Sequence, residues 1–111
     1  MELISWNDFE KVNMVVGTIL SAKLNEKAKK PSYQLEIDCG EFGIKRSSAQ
    51  ITQNYSLDDL PGKQVVVVIN FPAKNIAGVV SEVLVLAAVD QTKGVVLISP
   101  LSAVSNGTKI S

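Results

Sequence analysis

The sequence predicts an all-β domain, a small barrel or sandwich, from three observations. Tyr33, Leu35, Ile37 and Cys39 alternate with Gln34, Glu36 and Asp38, the period of two of a half-buried strand. Residues 65–69 and 83–89 are unbroken apolar runs rich in valine, of strand length and bounded by turn formers. Gly and Pro punctuate the chain at short intervals, leaving little room for long helices. The 111 residues make about one domain, 1–111, and 46% apolar content supports a folded core. Aromatic residues make up only 5%, so that core is aliphatic.

Ser5 and Asp8 fit a capping box, which predicts a short helix over 6–10. Trp6 and Phe9 give that turn an apolar side. Such a turn either lids the end of the barrel or helps form a subunit contact. Residues 12–22 favour a long strand, with Gly17 inside it as a bulge or a barrel-corner bend. Residues 23–31 form a polar loop with four lysines, Lys23, Lys27, Lys29 and Lys30. The alternating segment 33–39 is the second strand, with Cys39 in the apolar register as an inert core thiol. Gly40 to Gly43 forms a tight turn, and 44–48 returns as a third strand.

Residues 50–60 read as two short helical turns, the second capped by Ser56 and ended by Pro61-Gly62. The run 65–69 is a strand buried on both faces, broken by Asn70-Phe71-Pro72. Residues 74–81 make a loop around Gly78, 83–89 a fifth strand and 95–98 a further one. Asn106-Gly107 in the tail is a type I′ hairpin signal. A Greek-key barrel with a helical insert after its third strand is an OB-fold, and the insert at 50–60 stands in the right place.

Composition narrows the chemistry. With no His there is no Ser-His-Asp triad and no His-ligated metal, and one Cys forms neither an intrachain disulfide nor a Cys-rich zinc site. No phosphate-cradling glycine motif is present. The expectation is a binding module, not an enzyme, with no metal and no cofactor. No apolar run approaches the roughly 20 residues of a membrane span. An acid at position 2 and the single Cys point to the cytoplasm.

Lys plus Arg and Asp plus Glu both total 11, so the formal charge is +0. The distribution is uneven: residues 1–22 carry a net −2 and residues 23–46 a net +2. In an OB-fold, the loop between the first two strands and the face of strands two and three border the ligand groove. That is where the +2 segment falls. Phosphates call for Lys30, Lys45, Arg46 and Lys74, and exposed bases for Ser48, Gln50, Asn70 and Ser81. Phe71, Tyr33 and Tyr55 are the available stacking aromatics outside the N-terminal turn.

Two stretches carry a resemblance. One runs from Gly43-Ile44-Lys45-Arg46 to Ala49-Gln50-Ile51-Thr52, the other from Asn70-Phe71-Pro72 through Ile76-Ala77-Gly78 and Ser81-Glu82 to Leu86. With Asp8-Phe9-Glu10-Lys11, Val16-Gly17-Thr18-Ile19 and Asn106-Gly107, they closely resemble the CsaA family, a stand-alone branch of the tRNA-binding domain superfamily. The resemblance implies an OB-fold core with N- and C-terminal extensions that build a homodimer. Trp6 and Phe9 would then lie at the dimer interface. It also implies structure-specific, largely sequence-independent tRNA binding, and an export-related chaperone role toward unfolded preproteins or peptides. Lys30, Lys45, Asn70, Lys74 and Ser81 match the family's basic and polar positions, whereas Arg46 rests on charge alone.

Overall fold

The computed structural model describes residues Met1–Ser111. A five-residue helix, α1 (Trp6–Glu10), precedes nine strands. These are β1 (Met14–Leu24), β2 (Tyr33–Asp38), β3 (Ile44–Ala49), β4 (Gln64–Val68), β5 (Lys74–Ile76), β6 (Val79–Ser81), β7 (Leu84–Val85), β8 (Ala87–Asp90) and β9 (Gly94–Leu97). Five form one antiparallel sheet in the order β3-β2-β1-β4-β7, while β5–β6 and β8–β9 are separate hairpins. The sheet curls until its outer edges meet. Glu82 N donates to Arg46 O at 2.8 Å, and the Ser47 hydroxyl donates to Val83 O at 2.9 Å. The result is a nearly closed five-stranded barrel of the OB type.

The core follows from the strand patterns. Tyr33, Leu35 and Ile37 point inward from β2, and Val65 and Val67 from β4, joined by Val15, Ile19 and Leu60. All four valines of β4 are buried, as a run apolar on both faces requires. Cys39 is fully buried among them. Burial pushes its thiol above the usual range, with the Asp38 carboxylate adding to the effect.

Several expectations need correction. Gly17 is not the bulge: it pairs regularly with Val65, and the register shifts between Ile19 and Ser21 instead. Gly17 is needed for closeness, because a Cβ there would sit 2.6 Å from Ile37 Cγ2. The insert at 50–60 contains turns and no helix. Its capping hydroxyl, Ser56 Oγ, donates to the Asp59 carboxylate and leaves the backbone uncapped. Residues 74–81 are not a loop but the β5–β6 hairpin, turning through Ala77 and Gly78 at positive φ. The run 83–89 splits at Leu86, with β7 pairing β4 and β8 pairing β9.

Asn106-Gly107 makes a turn closed by Thr108 N on Ser105 O, but only Gly107 has positive φ, which excludes type I′. The tail instead lies along the first half of β1, where β2 does not reach. There Gly107 N donates to Val16 O, Val16 N to Thr108 O and Ile110 N to Met14 O. The capping box of α1 is present, with Ser5 Oγ accepting from Asp8 N at 3.1 Å and Asp8 accepting from Ser5 N. The helix does not lid the barrel, since none of its residues is buried and Trp6 is 81% exposed.

Candidate nucleic-acid interface

The β5–β6 hairpin meets the free edge of β3 and creates a cleft of about 550 Å³. Phe71 and Pro72 form one side, Ile76 and Leu84 add apolar surface, and Ser48, Lys74, Ser81 and Glu82 supply polar groups. Three of the expected residues are thus brought together. Lys74 and Ser81 face each other across the hairpin in register. Ser81 Oγ accepts from Ser48 N at 3.2 Å, which fixes the hairpin to β3. Phe71 is 55% exposed at the mouth, so its ring face is available to a flat ligand.

Arg46 borders this site through Glu82. The Glu82 carboxylate accepts from Arg46 N at 3.1 Å and lies 3.5 Å from its Nε. Lys45 does not join it. Adjacent residues on a strand face opposite ways, and Lys45 shares the inward register with Ser47 and Ala49. Asn70 serves the backbone: its Oδ1 accepts from Asn13 N at 2.9 Å, and its Nδ2 donates to Lys11 O at 2.6 Å. This ties the link between α1 and β1 to the end of β4. Gln50 is exposed beyond β3 and does not line the cleft.

Lys30 is exposed in the lysine loop. Lys23 and Lys27, not Lys30, flank a smaller cleft of about 260 Å³ against the hairpin tip at Ala77 and Gly78. The tyrosines are structural: buried Tyr33 donates its hydroxyl to Tyr55 O, and the Tyr55 hydroxyl accepts from Leu97 N. Phe71 alone remains as a stacking aromatic beside the cleft. The apolar lining contributed by Ile76 and Leu84 was missed by sequence reasoning. It depends on a hairpin whose three-residue strands are too short to show alternation.

A nearly closed antiparallel barrel with an open cleft of one aromatic ring, one lysine and two hydroxyls defines a small binding module of the OB type. The chain belongs to the tRNA-binding domain family: the model described as "Putative tRNA binding domain" matches residues 14–109. Over its full length it is similar to the crystal structure of the chaperone CsaA from Bacillus anthracis, at 46% identity and a TM-score of 0.94, covering 99% of this chain and 100% of that one. The CsaA chaperone protein from Picrophilus torridus is similar at 44% identity and a TM-score of 0.92, covering 98% and 100%. The methionine–tRNA ligase of Methanococcoides burtonii is 35% identical over 109 residues, 98% of this chain and 16% of the ligase. The chain thus spans about one sixth of the length of the curated relatives it matches, their tRNA-binding part and not the catalytic one. Its likeness to the two CsaA structures extends over nearly the whole chain, at 44–46% identity. No helix is long and apolar enough to cross a membrane.

Proposed function

We propose that this chain binds tRNA by laying unpaired nucleotides across β3 and the β5–β6 hairpin. The observation that carries the reading is Phe71 exposed beside Lys74, with the Ser48 and Ser81 hydroxyls in the same cleft. A base stacks on Phe71, and its backbone phosphate meets Lys74. Lys23 and Lys27 extend the cationic border beyond the hairpin, with Lys30 further along the same loop. Arg46 contributes less to phosphate binding because Glu82 already neutralises it.

Three phosphate contacts on unpaired strand give a salt slope of about −2 in log K against log salt, or roughly 20-fold between 50 and 200 mM. Gel-shift titration of a tRNA pool should show that dependence. Phe71→Ala should weaken binding about tenfold and Lys74→Glu should flatten the slope. Equal affinity for tRNA in wild type and both variants refutes the reading.

The same proposal includes a homodimer in the cytoplasm. Leu3, Ile4 and Trp6 are exposed together, and Trp6 and Phe9 border the tail at Ile110. A second copy covering this surface removes it from water. Light scattering should give twice the chain mass for the wild type and the single mass for Trp6→Asp.

A second reading has its own observation. Phe71, Ala73, Ile76, Val83 and Leu84 are half of the residues that line the cleft, an apolar surface that suits an unfolded peptide, and the two CsaA structures are named chaperones. An export-related chaperone role predicts salt-insensitive suppression of aggregation during refolding of a client enzyme. Aggregation that proceeds equally with and without the protein excludes it.

A further inference from the structure

The outer face of β1–β2–β3 holds a second cleft of about 440 Å³, which Val79 of the β5–β6 hairpin borders. Its polar lining is ordered by strand register. Ser21 pairs with Glu36, and Glu36 with Arg46; in the next row, Lys23 pairs with Gln34, and Gln34 with Ser48. Side chains in a row stand about 5 Å apart, and the two rows about 7 Å apart. Ser21, Lys23, Gln34, Glu36 and Arg46 line the cleft, and Val79 of the hairpin walls it.

The Glu36 carboxylate is oriented, not free to swing: its Oε1 accepts from Ser21 Oγ at 2.8 Å. Neither Lys23 nor Arg46 forms an ion pair with it within 4.0 Å, the two ion pairs in the chain being Lys11–Asp8 and Arg46–Glu82. Its second oxygen has no partner in the protein, and neither does the Gln34 side-chain amide. The cleft therefore presents, side by side, an amide able to donate and a carboxylate able only to accept, with cationic side chains at both flanks.

We infer that this cleft is a subsite for an unpaired guanine nucleotide. The inference rests on the RNA-binding reading above and specifies the base that this second cleft takes. Guanine alone among the four bases offers O6 as an acceptor next to N1–H and N2–H as adjacent donors. Gln34 Nε2 donates to O6, and the Glu36 carboxylate accepts from N1–H and N2–H. Adenine, cytosine and uracil each place a lone pair against the carboxylate at one or both of those positions. Lys23 is the unpaired cation beside the cleft for a flanking phosphate, whereas Arg46 is already paired with Glu82. A one-base preference of this kind is compatible with binding many tRNAs.

The probes are single-stranded tetranucleotide RNAs, UGUU and UAUU, titrated by fluorescence anisotropy with amide shifts followed by NMR. The wild type should bind UGUU about tenfold more tightly than UAUU, the discrimination expected of one bidentate pair. Glu36→Gln should bring the two affinities within a factor of two, and Ser21→Ala should reduce the preference to a few-fold by freeing the carboxylate. Lys74→Glu should weaken both RNAs alike and keep their ratio. The Ser21 and Glu36 amides should shift only with UGUU, and the Phe71 amide with both. Equal binding of the two RNAs by the wild type, or an undiminished preference in Glu36→Gln, overturns the guanine subsite and leaves RNA binding standing. Binding of neither RNA overturns both.

Discussion

Gly40→Ala tests whether the C-terminal tail is an integral part of the barrel. Gly40 has φ +63, and a Cβ there would overlap the backbone carbonyl of Asn106. Gly107 approaches from the opposite side, where its own Cβ would lie 3.0 Å from Cys39 O. Neither contact can be relieved by rotating a side chain, so the tail must move. Its departure breaks three backbone hydrogen bonds to β1, those joining Gly107 and Thr108 to Val16 and Ile110 to Met14. At about 1 kcal/mol net each they sum to about 3 kcal/mol, and the left-handed φ adds about 1. Equilibrium denaturation followed by far-UV circular dichroism should therefore show a loss of about 4 kcal/mol. That is a large part of the 5–15 kcal/mol typical of a domain. Gly62→Ala is the control: its φ is +91 but its Cβ meets nothing within 4 Å, so only about 1 kcal/mol should be lost. Amide exchange at Val16, Gly107 and Ile110 should accelerate in Gly40→Ala alone. A loss equal to that of Gly62→Ala, with unchanged exchange, would refute the reasoning.

Gly17→Ala should cost about 2–3 kcal/mol in the same denaturation assay, because its Cβ would meet Ile37 Cγ2 at 2.6 Å and Asp38 O at 3.1 Å inside the core. Ala77→Gly should stabilise the protein by about 0.5 kcal/mol, read as a rise in melting temperature of a few degrees, since Ala77 holds φ 49 at the hairpin tip. The Cys39 thiol should be inert to a thiol reagent at pH 8 in the native state and titrate as one equivalent in denaturant. Burial raises its folded-state pKa, so the neutral thiol's stability is complete below the unfolded value near 9 and is lost as pH rises beyond it. Stability should decline above that pH in the wild type and decline less in Cys39→Ala.

The parts of the fold legible in the sequence are those where one local rule acts alone. The alternation of Tyr33 to Asp38 and the valines of β4 announce strands because burial on one face or two dictates their composition. The Ser5–Asp8 box announces α1 because capping is settled within one turn. What stayed hidden depends on distant partners. Nothing local divides residues 83–89 at Leu86; the break arises because Leu86 N donates to Val66 O while Ile98 N donates to Leu86 O. Likewise the bulge falls beyond Ile19, where β1 exchanges its partnership with β4 for one with β2, and Gly17 serves packing instead.

The site divides in the same way. Lysine, serine and phenylalanine near positions 48, 71, 74 and 81 were legible as binding chemistry, but their meeting in one cleft needs the hairpin. Asn70 shows the limit of reading function from residue type, because an amide suited to a base is equally suited to two backbone groups. The separation of Lys45 from Arg46 was legible, since strand alternation places neighbours on opposite faces. Alternation also changes the meaning of the chain's neutral charge. On the outer face, Arg46 stands in register with Glu36 and in an ion pair with Glu82, so acid and base there nearly cancel. A face that is neutral yet dense in donors and acceptors is poorly suited to gathering phosphates and well suited to reading base edges. Lys23, Lys27 and Lys74 at the cleft margins are left to attract the polyanion.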